Sequence, residues 1–442
     1  MKKIVFSCSL LLLSISLSAQ NRVDPEEIES KMQWFTDAKL GIFIHWGIYA
    51  VNGIDESWSF YNKKISHGDY MKQLSGFTAK NYDPEHWAAL IRESGARYAV
   101  ITTKHHDGVA LWDTQLSDLS IIKKTPARRD VITPLVKALR NNNIKVGAYF
   151  SLIDWTDKNY PGYLKDSSKY DLKNDPNRWN KFLDFYQGQL KELSAQFNPD
   201  LFWFDGDWEH TAAEWQAEKT RKMILEANSK AIINGRLQGY GDYETPEQNF
   251  PVTRPPYRWW ELCMTINNNW GYQPTDLNFK TPYEVITIFA DCISMGGNLL
   301  LDIGPKEDGA IPVEQERVLK ELGKWTDKHN EAIFKTLPGL PQGHFYGPST
   351  ISKDSSTLYL FVPGKAAGRL MIKGLKNKIQ DITVVGSSHK LTYKIVGKIS
   401  WSDIPGLVYL DLPAALSDKY MTVLKVMLSS PLRLYRGKGG LK

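Results

Sequence analysis

Seven short apolar runs alternate with helix-patterned segments between residues 39 and 336, and this alternation is the strongest constraint on the fold. The runs are LGIFIHWG (40–47), YAVITTKHHDG (98–108), KVGAYFSLIDW (145–155), DLFWFDGDW (200–208), AIINGR (231–236), WWELCMTI (259–266) and NLLLDIG (298–304). Helical spacing falls between them at 84–95, 131–142, 178–197, 211–228, 282–294 and 313–329. Asp130 and Thr281 suit N-caps, and Pro282 suits a first helical position because it gives up no needed N–H. Continuous apolar strands alternating with helices predict a parallel sheet covered on both faces. Seven of them in about 300 residues predict an α/β (β/α)8-like barrel. Polar and aromatic residues gather at the strands' C-terminal ends: His45-Trp46, His105-His106-Asp107, Asp154-Trp155, Asp205-Gly206-Asp207 and Asn234-Gly235-Arg236. In a barrel those ends converge on one face, where the active site forms.

After about Pro338 the pattern changes to short alternating strands broken by Gly, Pro and Ser. This predicts an all-β sandwich over 338–442 following a barrel over 21–337. No aromatic stripe marks one of its faces, so bracing the barrel is favoured over binding sugar. At the other end, Lys2 and Lys3 precede a mostly apolar run, Ile4 to Leu17, with small residues at Ser16, Ser18 and Ala19. That is the pattern of an export signal over residues 1–20, and it predicts a periplasmic or extracellular chain with no membrane span after cleavage. Cleavage would remove two lysines and take the formal net charge from +6 to +4. So small and dispersed a charge excludes an electrostatic case for nucleic-acid binding. Cys263 and Cys292 would then remain: enough for one disulfide, too few for a disulfide framework or a zinc motif.

The chemistry concentrates in a few places. Asp205 closes the run Phe202-Trp203-Phe204-Asp205-Gly206, a carboxylate at a strand end beside an aromatic wall. That placement suits a nucleophile that attacks an anomeric carbon and survives as an ester until water arrives. His105 and His106 end another strand; neighbours on a strand face opposite ways, so the pair is not expected to chelate one metal. One ring can enter the pocket while the other packs behind it or approaches from the turn. A second, protonated carboxyl is required, and Glu261 and Asp276 are the two candidates. The 15 Trp and 21 Tyr are compatible with stacking on sugar rings, but composition alone favours a large aromatic core.

Six stretches in order resemble the α-L-fucosidases of glycoside hydrolase family 29: WFTDAKLGIFIHWG, TTKHHDGVALWDT, GAYFSLIDW, FWFDG, WWELCMTINNNWGY and GGNLLLDIGPKEDGAIP. The resemblance implies a retaining, exo-acting hydrolase of terminal α-L-fucosides in oligosaccharides or glycoconjugates, working without metal or cofactor. It places the nucleophile at Asp205 and sugar contacts at His45, His105 and His106, with Tyr149 and Trp203 shaping the pocket. Glu56, Trp58 and Trp270 are further substrate-binding candidates. The aromatic and apolar groups suit the 5-methyl of fucose.

The family keeps its acid/base in more than one place. One branch has a Glu nine residues before a Trp, as Glu261 stands before Trp270; another has it four residues after a WGY-like Tyr, where this chain has Asp276. The shorter Asp reaches less far, so Glu261 is favoured. An Arg of that second branch aligns with Met264, an EWY-like segment with Ser59-Phe60-Tyr61, and a usual Asn with Asp302. These departures leave open a relaxed specificity that extends to galactose-configured sugars. A secreted sugar-binding protein with a decayed site and a metal-dependent barrel hydrolase are the other readings.

Overall fold

The computed structural model describes residues 25–162, 169–364, 369–387 and 389–437, so the expected leader at 1–20 lies outside the described residues. All seven expected runs form parallel strands: β1 (Leu40–Ile44), β2 (Tyr98–Lys104), β3 (Lys145–Ser151), β4 (Leu201–Asp205), β5 (Ile232–Ile233), β6 (Glu261–Thr265) and β7 (Asn298–Ile303). Their order in the sheet is β5-β4-β3-β2-β1-β7-β6. Between β6 and β5 an irregular stretch supplies an eighth stave. Tyr243 bridges Asn234 just past β5, while Glu244 and Glu247 bridge Trp260 and Cys263 on the β6 side, all in parallel sense. The ring therefore closes with seven regular strands and one that carries no apolar run of its own.

Helices follow where the spacing expects them, at Pro84–Glu93, Ile132–Asn141, Pro176–Phe197, Ala217–Ala227, Pro282–Ser294 and Val313–Lys328. Thr281 caps its helix through a reciprocal pair with Glu284, and Pro282 opens the helix. Asp130 acts one residue further out than a simple N-cap, accepting from the amides of Ile132 and Thr133 at 2.7 and 2.9 Å.

Period-two alternation sorts each strand between two environments. Ile42, Ile44, Ala99, Ile101, Phe202, Phe204, Leu299 and Leu301 face the helices. Phe43, Tyr98, Val100, Tyr149, Leu201, Trp203, Cys263 and Leu300 fill the lumen, whose base is plugged by Met32, Phe35 and Ala38 of the helix Pro25–Ala38. Glu261, the first residue of β6, lies deep in this lumen with no exposed surface. Its carboxyl accepts from the Tyr98 hydroxyl and, at 3.1 Å, from the Trp203 indole.

Beyond the barrel, β8 (Leu337–Pro338) to β15 (Met421–Leu428) form two antiparallel sheets, of five and three strands. The sandwich core is separate, built on Leu358, Leu360, Ile372, Ile382 and Leu424. Its seam with the barrel runs along the helix Val313–Lys328, where buried Trp325 donates to the Met421 carbonyl at 2.9 Å. Cys263 and Cys292 are both buried free thiols, so the possible disulfide is not formed.

Burial pushes the Glu261 carboxyl up to about 7, outweighing the hydrogen bonds from Tyr98, Trp203 and Tyr243. Between the ordinary value of 4.5 and 7, the folded chain holds this proton while the unfolded chain releases it. The associated stability is whole below about pH 4.5 and is lost as the pH rises through 7, amounting to about 3 kcal/mol. Glu261→Gln should therefore flatten the fall of Tm between pH 5 and 8. Parallel Tm–pH curves for variant and wild type would show that this carboxyl does not titrate with folding.

Candidate active site

Asp205 ends β4 on the lumen side, two residues above Trp203, so the indole forms a floor and the carboxylate stands over it at the barrel's C-terminal face. Two groups bond to it and a third stands beside it. The Tyr149 hydroxyl donates to Oδ2 at 2.8 Å, Arg236 Nη1 donates to Oδ1 at 2.9 Å, and His106 Nε2 lies 3.7 Å from Oδ2. Burial alone would raise the carboxyl, but the Arg236 charge, His106 and the Tyr149 bond outweigh it and hold Asp205 below the ordinary carboxylate range. Gly206 follows at φ +80, which lets the chain turn off the strand; a Cβ there would also meet the Ile153 side chain at 2.7 Å.

Arg236 comes from the turn after β5. Its guanidinium lies 4.5 Å over the Trp203 ring, and its Nε donates to Thr245 Oγ1 at 3.1 Å. Its second terminal nitrogen, Nη2, reaches Glu247 Oε2 at 2.6 Å. Sequence reasoning noted Arg236 at a strand end without giving it a role, and it missed Glu247 altogether. No apolar run flags the irregular stave that carries Glu247.

The histidines gather on the opposite side. A register slip between Thr102 and Lys104 ends the regular alternation of β2. Both His105 and His106 consequently turn toward the site, with ring centroids 4.3 Å apart. This corrects the expectation that they face opposite ways: donor atoms of His105, His106 and Asp205 lie within 4.8 Å of one another. The Arg236 cation already bound to Asp205 opposes a second cation there, and the arrangement suits hydroxyl groups better than a metal.

The hydrogen bonds fix which atoms face the pocket. Ser151 Oγ donates to the Ile153 carbonyl at 2.6 Å, so it accepts from His106 Nδ1–H at 2.5 Å. Burial holds His106 down at about 4, so near neutrality its Nε2 presents a lone pair. That atom is buried and meets no protein partner. It is therefore built to accept a hydrogen bond from a bound molecule. His45 Nδ1 lies 2.7 Å from Asp302 Oδ1. Burial lowers His45 to about 3 and raises Asp302 well above its ordinary value. Asp302 thus fixes the His45 ring through Nδ1 and leaves Nε2 on the other edge of the ring. His105, also lowered by burial, pairs with Ser57 Oγ at 2.7 Å and stacks on Tyr149 with 7° between ring planes.

Aromatic rings wall the cluster. Trp270 lies 4.8 Å from His45, and Trp58 lies 5.5 Å from His106. Trp208, half exposed, stands near-parallel to Trp58 at 6.1 Å. Glu56 is buried behind this wall, where it accepts from the Gly271 amide at 2.5 Å; burial pushes it up to about 7. It clamps the Trp270 turn rather than bonding to Asp205, and Met264 packs on the helix-facing side of β6.

Neither expected acid/base is placed to protonate a leaving group. Glu261 lies beneath the Trp203 floor, fully buried, with its oxygens occupied, so no leaving oxygen can reach it. Asp276 is bound by Asn267, Asn268, Asn269 and Asn278 at 2.7–3.2 Å. Burial alone would raise it, but these donors, Asn269 foremost, hold it below its ordinary value. It thus stays ionised where a general acid needs its proton. Asp276 pins the 267–278 loop, and the surface hollow it lines contains none of Asp205's partners.

Comparison with known proteins agrees with this geometry. A family profile described as Alpha-L-fucosidase matches residues 14–331. The human tissue alpha-L-fucosidase is 30% identical over 407 residues, covering 84% of this chain and 83% of that protein. Among solved structures, alpha-L-fucosidase isoenzyme 1 from Paenibacillus thiaminolyticus superposes with a TM-score of 0.82 at 31% identity, covering 91% of this chain and all of the other. An alpha-L-fucosidase of family GH29 from Bacteroides thetaiotaomicron, a trapped covalent intermediate, gives a TM-score of 0.80 at 28% identity over 92% of this chain and 97% of that one. The chain belongs to the α-L-fucosidase family, glycoside hydrolase family 29.

Proposed function

We propose that this protein is a retaining exo-α-L-fucosidase in which Asp205 is the nucleophile. The observation that carries the reading is an ionised, mostly buried carboxylate beside a partnerless His106 Nε2, at the catalytic end of a fucosidase-family barrel. Asp205 attacks the anomeric carbon, and Tyr149 and Arg236 orient its two oxygens. His106 Nε2 accepts from one sugar hydroxyl and His45 Nε2 meets another, with His105 completing the polar side. Trp203, Trp58 and Trp270 cover the apolar face and the methyl group of the sugar. A covalent intermediate trapped in a family member supports two displacements at one carbon, each inverting, so that configuration is retained. The fucosylated aglycone is oligosaccharide or glycoconjugate. Export by a leader over residues 1–20 belongs to the same proposal, and cell fractionation tests it.

Two outcomes check the reading. Asp205→Gly should keep the fold but lose at least about three orders of magnitude in kcat on an aryl α-L-fucoside. Added azide should restore turnover from the vacated face, giving an inverted fucosyl azide; a variant keeping more than about a tenth of wild-type kcat removes Asp205 from the role. Full activity after exhaustive treatment with EDTA is also expected, because Arg236 already balances the carboxylate. Chelator-sensitive activity restored by one divalent metal would turn His105, His106 and Asp205 into a metal site.

A further inference from the structure

We infer that the outer face of the three-stranded sheet in the C-terminal sandwich binds acidic polysaccharide, at a surface separate from the catalytic end of the barrel. The inference goes beyond the fucosidase reading and rests on it only for the choice of polymer.

Charge is the first observation. Residues 338–442 carry 15 Lys and Arg against 5 Asp and no Glu, a formal net charge of +10. The rest of the chain, with 40 basic and 44 acidic residues, stands at −4. The total of +6 therefore conceals a basic module beside a mildly acidic barrel. Lys353, Lys419 and Lys425 pair across the seam with Asp37, Glu321 and Glu331. Lys373, Lys394 and Lys398 have no carboxylate partner among the described residues.

Layering is the second. One face of the five-stranded sheet packs on the barrel through Tyr359, Phe361 and Val423. Its other face meets the three-stranded sheet, β11 (Leu370–Lys373), β14 (Leu407–Leu410) and β13 (Tyr393–Val396), whose Ile372, Val408 and Leu410 point into the sandwich core. The five-stranded sheet thus does the bracing expected of the module, and the outer face of the three-stranded sheet has no part in it. Residues directly opposite on neighbouring strands share a face. The register therefore sets Met371, Tyr409 and Lys394 in one outward row and Lys373, Leu407 and Val396 in the next. Tyr346, 72% exposed, lies with its ring 4.5 Å from Lys373 Nζ and extends the second row. Beyond that row the hairpin 397–406 carries Lys398 and Trp401, which is 87% exposed. The Lys376–Asp403 pair at 3.3 Å ties this hairpin back to the end of β11.

The mixture selects the ligand. An aromatic face takes the C–H face of a pyranose, and a lysine beside it takes a sulfate or carboxylate on the same chain. A neutral glycan would leave the unpaired lysines unused. A lipid surface calls for apolar side chains that project together, whereas here each row sets a lysine beside its apolar and aromatic members. A flat face of that kind suits an extended polymer with repeated negative charge. Holding such a polymer on the module raises the local concentration of its fucosyl ends around the barrel.

The test uses the full chain with a sulfated α-L-fucan, the same fucan after desulfation, duplex DNA and anionic phospholipid vesicles. Wild type should bind the sulfated fucan with an affinity that falls about tenfold or more between about 50 and 200 mM salt. The desulfated polymer should bind at least about tenfold more weakly. Combining Lys373→Ser, Lys394→Ser and Lys398→Ser should weaken binding by about tenfold or more, and Trp401→Ala alone by about fivefold. Each variant should keep the wild-type Tm and the wild-type kcat on an aryl α-L-fucoside. Absence of binding to the sulfated fucan, or binding that survives the triple substitution, would overturn the assignment. Equal affinity for DNA or tighter binding to the vesicles would also overturn it, showing a general cationic patch or a lipid-facing surface. The aryl substrate keeps the two readings apart: a chain that binds sulfated fucan as expected but cleaves no aryl fucoside loses the fucosidase reading and supports this one.

Discussion

Keeping the Asp205 carboxylate charged in a mostly buried position is the constraint around which the catalytic face is arranged. A buried charge without partners would take up a proton, and a protonated nucleophile is inert. Arg236 and Tyr149 prevent this, and they and the neighbouring His106 each need support of their own. Tyr149 is stacked between His105 and Trp203, at 5.6 Å from each. Arg236 rests on the Trp203 ring. His106 is held by Ser151, which pairs with Asp205 in the sheet. Trp203 in turn is fixed from below by Glu261, a carboxyl that burial inclines toward its neutral form. A layer of lumen side chains thus carries the geometry of the layer above it, the usual division of a barrel between a packed interior and a reactive end.

The same burial that threatens Asp205 is useful for the histidines. His45, His105 and His106 are all pushed toward the neutral form, so they bind hydroxyl groups without adding cations beside Arg236. Their partners then set direction: Asp302 fixes the His45 ring, and Ser151 makes His106 Nε2 an acceptor. A sugar hydroxyl both donates and accepts, so a pocket offering fixed donors and acceptors selects hydroxyl orientation as well as ring shape.

Much of this was legible in the chain. Continuous apolar runs alternating with helical spacing predicted the strands and a sheet covered on both faces, and the strand-end cluster pointed to the catalytic face. Asp205 was identifiable from position and chemistry together. The second carboxyl was not. Glu261 has the residue type, the strand and the raised acidity expected of an acid, yet it begins its strand where an acid would have to end one. Asp276 has a suitable sequence position, but a ring of asparagine donors holds its charge. The His105–His106 pair departs from strand alternation because both residues lie past the end of β2, beyond a register slip.

The sequence by itself determined the elements, their order and the candidate nucleophile, because these depend on neighbours within a strand or a turn. Tertiary structure alone decided depth in the lumen and which carboxyls share a cation. Arg236 reaches Asp205 across 31 residues and Glu247 across 11, and the eighth stave exists only because β5 and β6 leave a gap for it. Depth, shared charge and closure are properties of the assembled ring, and no local pattern encodes them.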